Sequence, residues 1–208
     1  MRLIIITNDT TAENEHYVIL NMLKSGLPTL HIRKPSYSEQ RLKRYLDEIP
    51  KEYYDRIVIH THHRTLLKYR LKGIHLNKSH KKKTFRNWLT TKLLEYKCNK
   101  FTKSTACNSI SSMVESYPLY DYLMLTPIFG ETSEHKPAFS TGTLNEILKK
   151  YPGKIIARGG TDADSIKRAM ELGFSGIAFQ NYIWKRPDPI EQFQIVIKRF
   201  GELGLAIE

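Results

Sequence analysis

Short apolar runs recur along the chain, separated by amphipathic stretches. The runs are LIIIT (3–7), TLHIR (29–33), IVIH (57–60), GIHL (73–76), FTKSTA (101–106), YLMLT (122–126), KIIAR (154–158) and SGIAF (175–179). Their shortness and β-branched content predict strands. Apolar residues at three-to-four spacing predict helices around Tyr17, Leu20 and Leu23, around Leu42, Tyr45 and Leu46, and over Trp88 to Tyr96. Further helices are predicted around Ile110, Met113 and Val114, around Leu144, Ile147 and Leu148, around Ile166 and Met170, and from about Ile190 to Phe200. Alternation of this kind demands parallel strands with right-handed crossovers, because each helix carries the chain back over the sheet. Eight units in 208 residues, with no linker between them, predict an α/β fold: one TIM (β/α)8 barrel spanning residues 1–208. A doubly wound sheet is the alternative.

Composition fits a globular chain, with 40% hydrophobic and 26% charged residues. Cys98 and Cys107 are too few for a disulfide framework and lack metal-ligand spacing, which predicts a reducing compartment. The opening MRLIIITND is too short an apolar run for the core of a signal peptide, and no stretch approaches a membrane span. The expected location is the cytoplasm, with no membrane partner. Thirty-three Lys and Arg against 21 Asp and Glu give a formal charge of +12, which points to anionic partners: phosphorylated metabolites or nucleic acid. The densest basic cluster, NKSHKKKTFR from Asn77 to Arg86, reads first as a solvated loop. Nucleic acid, supported by charge alone, is not the expected partner.

Barrel chemistry sits at the C-terminal ends of the strands. Those ends supply Thr7 and Asn8, His31 and Arg33, then His60, Thr61 and His62, then Asn77 and His80. The second half supplies Cys107 and Asn108, Thr126 and the loop to Lys136, Gly159 and Gly160, and Gln180 and Asn181. Alternation aims His31 and Arg33 to one side, toward the barrel mouth. In KIIARGGTD, residues 154–162, a strand runs into a glycine pair and then a helix start. Glycines at such a junction accept positive φ and bring backbone N–H groups close to an anion. Thr161 or Asp162 is the expected cap of the helix that follows.

The stretches LIIITND, LHIRKPSYSE, IVIHTHHRTLLKYRLKGIHLNKSH, YDYLMLTPIFGETSEHKP and KIIARGGTDADSIKRAMELGFSGIAFQNYIW, in this order, resemble the thiamine phosphate synthase and thiazole tautomerase (TenI-like) superfamily. The resemblance implies a TIM barrel that binds phosphorylated pyrimidine and thiazole compounds at its top face. In the synthase branch it implies joining a hydroxymethylpyrimidine diphosphate to a thiazole phosphate with release of pyrophosphate and with Mg2+ as cofactor.

Carried over by position, the resemblance gives Arg33 and Lys136 catalytic roles beside the diphosphate. It assigns substrate binding to His31, Lys34, His60, Thr61, Asn108, Thr126, Thr132, Ser133, Gly159, Gly160, Gln180 and Asn181. His31 stands where the family has a glutamine, and Pro35 where it has a lysine, with Lys34 adjacent. His60 and Thr61 occupy the family's Asn-Asp pair, whose aspartate ligates magnesium, and the second aspartate falls near His80. The magnesium positions are thus not matched, and no metal ligand is assigned. Asn108 replaces the histidine of the tautomerase branch, and an amide cannot transfer protons in the useful pH range. Tyr182 is larger than the residue expected beside the thiazole phosphate.

Two other readings are kept. A divergent tautomerase-like or phosphate-binding barrel without synthase activity fits the lost aspartates. His31, His60, His62 and His80 at strand ends could instead bind a transition metal, although their spacing matches no compact motif, whereas His75, inside a strand, reads as a core histidine. A basic nucleic-acid-binding protein is the non-enzymatic alternative, and a homodimer is left open.

Overall fold

The computed structural model describes residues 1–77, 85–98, 100–130 and 139–208. Eight parallel strands close into a barrel in sequence order: β1 (Arg2–Ile6), β2 (Leu30–Ile32), β3 (Ile57–Ile59), β4 (Gly73–Leu76), β5 (Thr102–Cys107), β6 (Tyr122–Leu125), β7 (Ile155–Arg158) and β8 (Gly176–Phe179). Closure rests on β1 pairing with β8, where Ile5 faces Phe179, and with β2, where Ile6 faces His31. The fold is the single-domain TIM barrel that the alternation predicts, and each strand lies within one or two residues of its expected bounds.

The outer helices are α1 (Glu15–Lys24), α2 (Glu39–Asp47), α3 (Phe85–Lys97), α4 (Ile110–Ser116), α5 (Thr141–Lys150), α6 (Ser165–Leu172), α7 (Asn181–Trp184) and α8 (Pro189–Glu202). Capping is local chemistry. Ser38 accepts a hydrogen bond from the Arg41 N–H, Ser109 from that of Ser112, Ser140 from that of Thr143, and Asp188 from those of Ile190 and Glu191. Between β3 and β4 the crossover is not an α-helix but a 3-10 turn, His63–Leu67. Two positions assigned to apolar helix faces point outward instead: Tyr17 is 64% exposed and Met170 37%. On α1 and α6 the residues facing the sheet include Val18, Ile19, Met22 and Leu23, and Ile166, Ala169 and Leu172.

Strand alternation divides the core in two. Leu3, Ile5, Leu30, Ile32, Ile57, Ile59, Leu123 and Leu125 face outward and pack with the helices in one large apolar layer. Each fully buried Leu or Ile stabilises by roughly 1.5–3 kcal/mol, so this layer supplies most of the hydrophobic driving force. Inside the barrel, Ile4, Ile6, Tyr122, Met124, Ile156 and Ala178 form a second, smaller cluster drawn from β1 and β6–β8. The opposite interior wall is polar, with buried His31, His60, His75 and Ser104 on or at the ends of β2–β5. Ser104 and Thr105 account for the weak apolar signal of the fifth strand: both are buried, and both hydroxyls bond to carbonyls of β4.

A buried ion pair ties the first two units together. Lys34, directly after β2, is wholly enclosed, and its ammonium donates to Glu15 Oε2 at 2.8 Å and to the carbonyls of Asn8 and Thr10. Tyr45 from α2 donates to the other Glu15 oxygen at 2.9 Å. Lys34 is therefore a structural residue turned away from the barrel mouth, not the substrate contact expected for it. Burial lowers its pKa, and the Glu15 carboxylate opposes that shift. We expect Lys34→Met to lower the unfolding free energy by about 3–5 kcal/mol, because Glu15 is left as a buried, uncompensated charge. Denaturant unfolding checks this, and Lys34→Met combined with Glu15→Gln should recover most of the loss.

Candidate functional site

The end of β7 runs into two glycines with positive φ, +86° at Gly159 and +67° at Gly160. Neither position has room for a side chain. A Cβ on Gly160 would sit 2.2 Å from the Phe129 carbonyl oxygen, and one on Gly159 would sit 3.0 Å from Pro127. The cause is the segment after β6, which hydrogen-bonds onto this turn: the Ile128 N–H donates to the Arg158 carbonyl at 2.9 Å and the Phe129 N–H to that of Gly159 at 3.0 Å. Thr161 does not cap α6; its hydroxyl donates to the Ala178 carbonyl on β8 at 2.7 Å. Asp162 does, accepting from the Ser165 N–H at 2.9 Å while Ser165 Oγ accepts from the Asp162 N–H at the same distance.

Around this turn lies a cleft of about 360 Å³, lined by Thr126, Arg158, Gly159, Gly160, Thr161, Gln180, Asn181, Tyr182 and Lys185 among others. It collects five of the predicted site residues: Thr126, Gly159, Gly160, Gln180 and Asn181. Arg158 and Lys185 join them without having been singled out, together with Thr161, which was expected only as a helix cap. Tyr182 lines the cleft beside them, with its ring centroid 6.1 Å from that of Phe179. Arg158 was legible, since alternation along β7 turns Ala157 outward and Arg158 inward.

Arg158 donates from Nη2 to Gln180 Oε1 at 3.1 Å, and Gln180 Nε2 donates in turn to the Thr7 carbonyl at 3.2 Å. This chain ties β7, β8 and β1 together at the mouth. Burial, and next the nearby Arg33 charge, bring the Arg158 pKa down to about 10, while Asp9 acts the other way. The guanidinium stays charged at neutral pH. Arg33, at the end of β2, is half-buried, and its Nη1 is ion-paired with Asp9. Its side chain is 35% exposed, so it is less enclosed than a deep barrel-mouth arginine, and part of its donor set is already engaged.

One layer below, His31 and His60 are buried inside the barrel and bonded to each other, His31 Nδ1 to His60 Nε2 at 2.9 Å. The other nitrogen of His31 meets the Tyr122 hydroxyl at 2.6 Å. Burial, reinforced by His75, holds both imidazoles well below their ordinary pKa and hence uncharged at neutral pH. Neither ring faces the open cleft, so substrate binding by His31 and His60 does not follow from their position. Thr61 lies elsewhere, in a separate cleft of about 430 Å³ with Pro35, Tyr37 and His62. Asn108 is exposed beyond β5. Thr132, Ser133, Lys136 and His80 lie outside the described residues.

Magnesium, which the resemblance implies, finds no oxygen cage among the described residues. At the end of β3 the positions of the expected ligands hold an enclosed imidazole and a threonine. The carboxylates near the mouth are committed, Asp9 to Arg33, Glu15 to Lys34 and Asp162 to the start of α6. A hard cation that wants carboxylate and carbonyl oxygens does not fit this arrangement.

A family model described as thiamine monophosphate synthase, TMP-TENI, matches residues 3–183. Among curated protein sequences none matches the chain. A thiamine phosphate pyrophosphorylase from Bacteroides thetaiotaomicron is 26% identical with a TM-score of 0.78, covering 99% of this chain and 100% of its own. One from Pyrococcus furiosus is 14% identical with a TM-score of 0.76, covering 97% and 96%. The fold extends to the (S)-3-O-geranylgeranylglyceryl phosphate synthase of Thermoplasma acidophilum, 8% identical with a TM-score of 0.68 over 97% and 93% of the two chains. Among the described residues no helix is long and apolar enough to cross a membrane. With the match running from β1 to the start of the segment after β8, the chain belongs to the thiamine monophosphate synthase (TMP-TENI) family.

Proposed function

We propose that the protein is a thiamine phosphate synthase-like transferase that joins a hydroxymethylpyrimidine diphosphate to a thiazole phosphate. The observation that carries this reading is the cleft itself: two glycines locked in positive φ beside Arg158, whose charge is met by no carboxylate in hydrogen-bond contact among the described residues. The thiazole phosphate binds against the Gly159–Thr161 backbone and Arg158, as anions favour such turns. The thiazole ring nitrogen then attacks the methylene carbon of the pyrimidine. A C–N bond forms, the C–O bond to the diphosphate breaks, and pyrophosphate leaves with the electron pair. Arg33, released from Asp9, and Lys136, which follows β6 in the sequence, stabilise that departing charge.

Because the magnesium ligands do not fit, no step is assigned to that ion. A second reading, a phosphate-binding barrel without synthase activity, draws on the same observation: the enclosed His31–His60 pair stands where oxygen donors would be needed.

Two measurements test the proposal. Thiamine phosphate formation by the purified protein should be slow and respond little to added magnesium; robust, magnesium-saturable turnover would show that other oxygens replace the missing aspartates, and no turnover at any magnesium concentration would favour the second reading. Arg158→Gln should weaken thiazole phosphate binding by about tenfold or more in calorimetry, as loss of a charge-assisted hydrogen bond implies. Unaltered affinity in both Arg158→Gln and Gly160→Ala would remove the phosphate from this cleft.

A further inference from the structure

Three histidines meet inside the barrel: His31 on β2, His60 at the end of β3 and His75 on β4. One nitrogen of each can be chosen so that all three lie within 4.8 Å of one another. We propose that these imidazoles form a binding site for a single d-block cation of the zinc class, distinct from the cleft at β7 and β8 and independent of the synthase reading.

Distance is the first argument. Three nitrogens at about 2.0–2.1 Å from a tetrahedral zinc stand about 3.3 Å apart. The His31–His60 contact of 2.9 Å and the outer limit of 4.8 Å bracket that spacing, so small side-chain rotations close the site. The rings are already gathered, with His60 stacked on His75 at 4.2 Å between centroids and His31 edge-on to both, at 5.1 Å and 5.5 Å.

Orientation is the second. Metal-binding histidines direct one nitrogen at the ion and hold the other in a hydrogen bond that fixes tautomer and ring angle. Tyr122 does this for His31 through Nε2, leaving Nδ1 to face His60. Ser104 does it for His75, with its hydroxyl oxygen 2.9 Å from Nδ1. These outer partners come from β5 and β6, so the closed sheet itself holds the geometry.

Donor chemistry selects the ion. Neutral imidazole suits zinc, cobalt, nickel and copper, whereas magnesium wants oxygen. Charge acts against the site, since Arg158 and Lys72 both act on His31 and no carboxylate contributes a ligand. Affinity should therefore fall below that of cysteine-containing structural zinc sites.

The test uses the untagged full chain, stripped with chelator and titrated with Co2+ and Zn2+. We expect visible d–d absorption saturating at about one Co2+ per chain and displaced by Zn2+, with magnesium ineffective. His60→Gln should abolish it, Ser104→Ala should weaken affinity by about 10- to 100-fold, and His16→Gln, a surface histidine beside Glu48, should leave it unchanged. If His60→Gln does not fold, imidazole 15N spectra of the unaltered chain read the same question, with three of its histidines shifting on Zn2+ addition. Unshifted core imidazoles, or cobalt binding that survives in folded His60→Gln, would overturn the site.

Discussion

Closing eight short parallel strands into a barrel leaves an interior that water cannot fill and side chains must. Here that interior has two unlike halves. The β6–β8 and β1 wall is apolar, built from Ile4, Ile6, Met124, Ile156 and Ala178, while the β2–β5 wall carries His31, His60, His75 and Ser104. Polar groups buried without partners cost several kcal/mol, so the histidine wall is tolerable only as a network. Tyr122 makes the join: its ring belongs to the apolar cluster, its hydroxyl bonds to His31, and burial pushes its pKa up so that it stays a neutral phenol. The strand pairing depends on this filling, because both neighbours of β3 carry the rings against which His60 packs.

Charge is confined to the layer above. The imidazoles are neutral, so the first fixed cations met on going up the interior wall are Arg33 and Arg158, near enough that the Arg33 charge helps to lower the Arg158 pKa. Asp9 sits with Arg33, and Gln180 holds Arg158 by a neutral amide. Lys34 would have been a third cation, but Glu15 and Tyr45 sequester it behind the mouth. The result is a positive mouth over a neutral interior, a division that focuses an anionic ligand toward β7 and β8 rather than down into the barrel.

Much of this was legible in the sequence, and what was not has identifiable causes. Strand number and bounds followed from apolar runs except at the polar fifth strand, and the turn at Gly159 and Gly160 followed from a glycine pair at a strand end. Side-chain destinations were harder. Lys34 was assigned to the substrate because it adjoins Pro35, where the family has a lysine, yet the chain turns after Arg33 and delivers it to Glu15, which lies 19 residues earlier in sequence. His60 was assigned to a strand end, but its ring turns inward to His31, and His75, set apart as a core residue, proved to be its stacking partner. Such pairings join residues 15 to 29 positions apart and leave no periodic trace, although inward parity on β2 and β4 marks His31 and His75 equally.

The two arginines at the mouth are not equivalent as anion receptors, and the difference lies in what each must give up. Arg33 meets an incoming phosphate or pyrophosphate only by exchanging it for the Asp9 carboxylate, so the gain is the difference between two charge-assisted contacts, each worth about 1.5–3 kcal/mol. Arg158 exchanges nothing of that kind. Its present partner is an amide oxygen, and Gln180 can keep its own bond to the Thr7 carbonyl whether or not the guanidinium turns toward a ligand. Part of its desolvation cost has been met in folding, since the group is already largely enclosed. An anion would therefore gain more at β7, where the glycine turn presents its backbone, than at β2, where the Asp9 contact must first be given up.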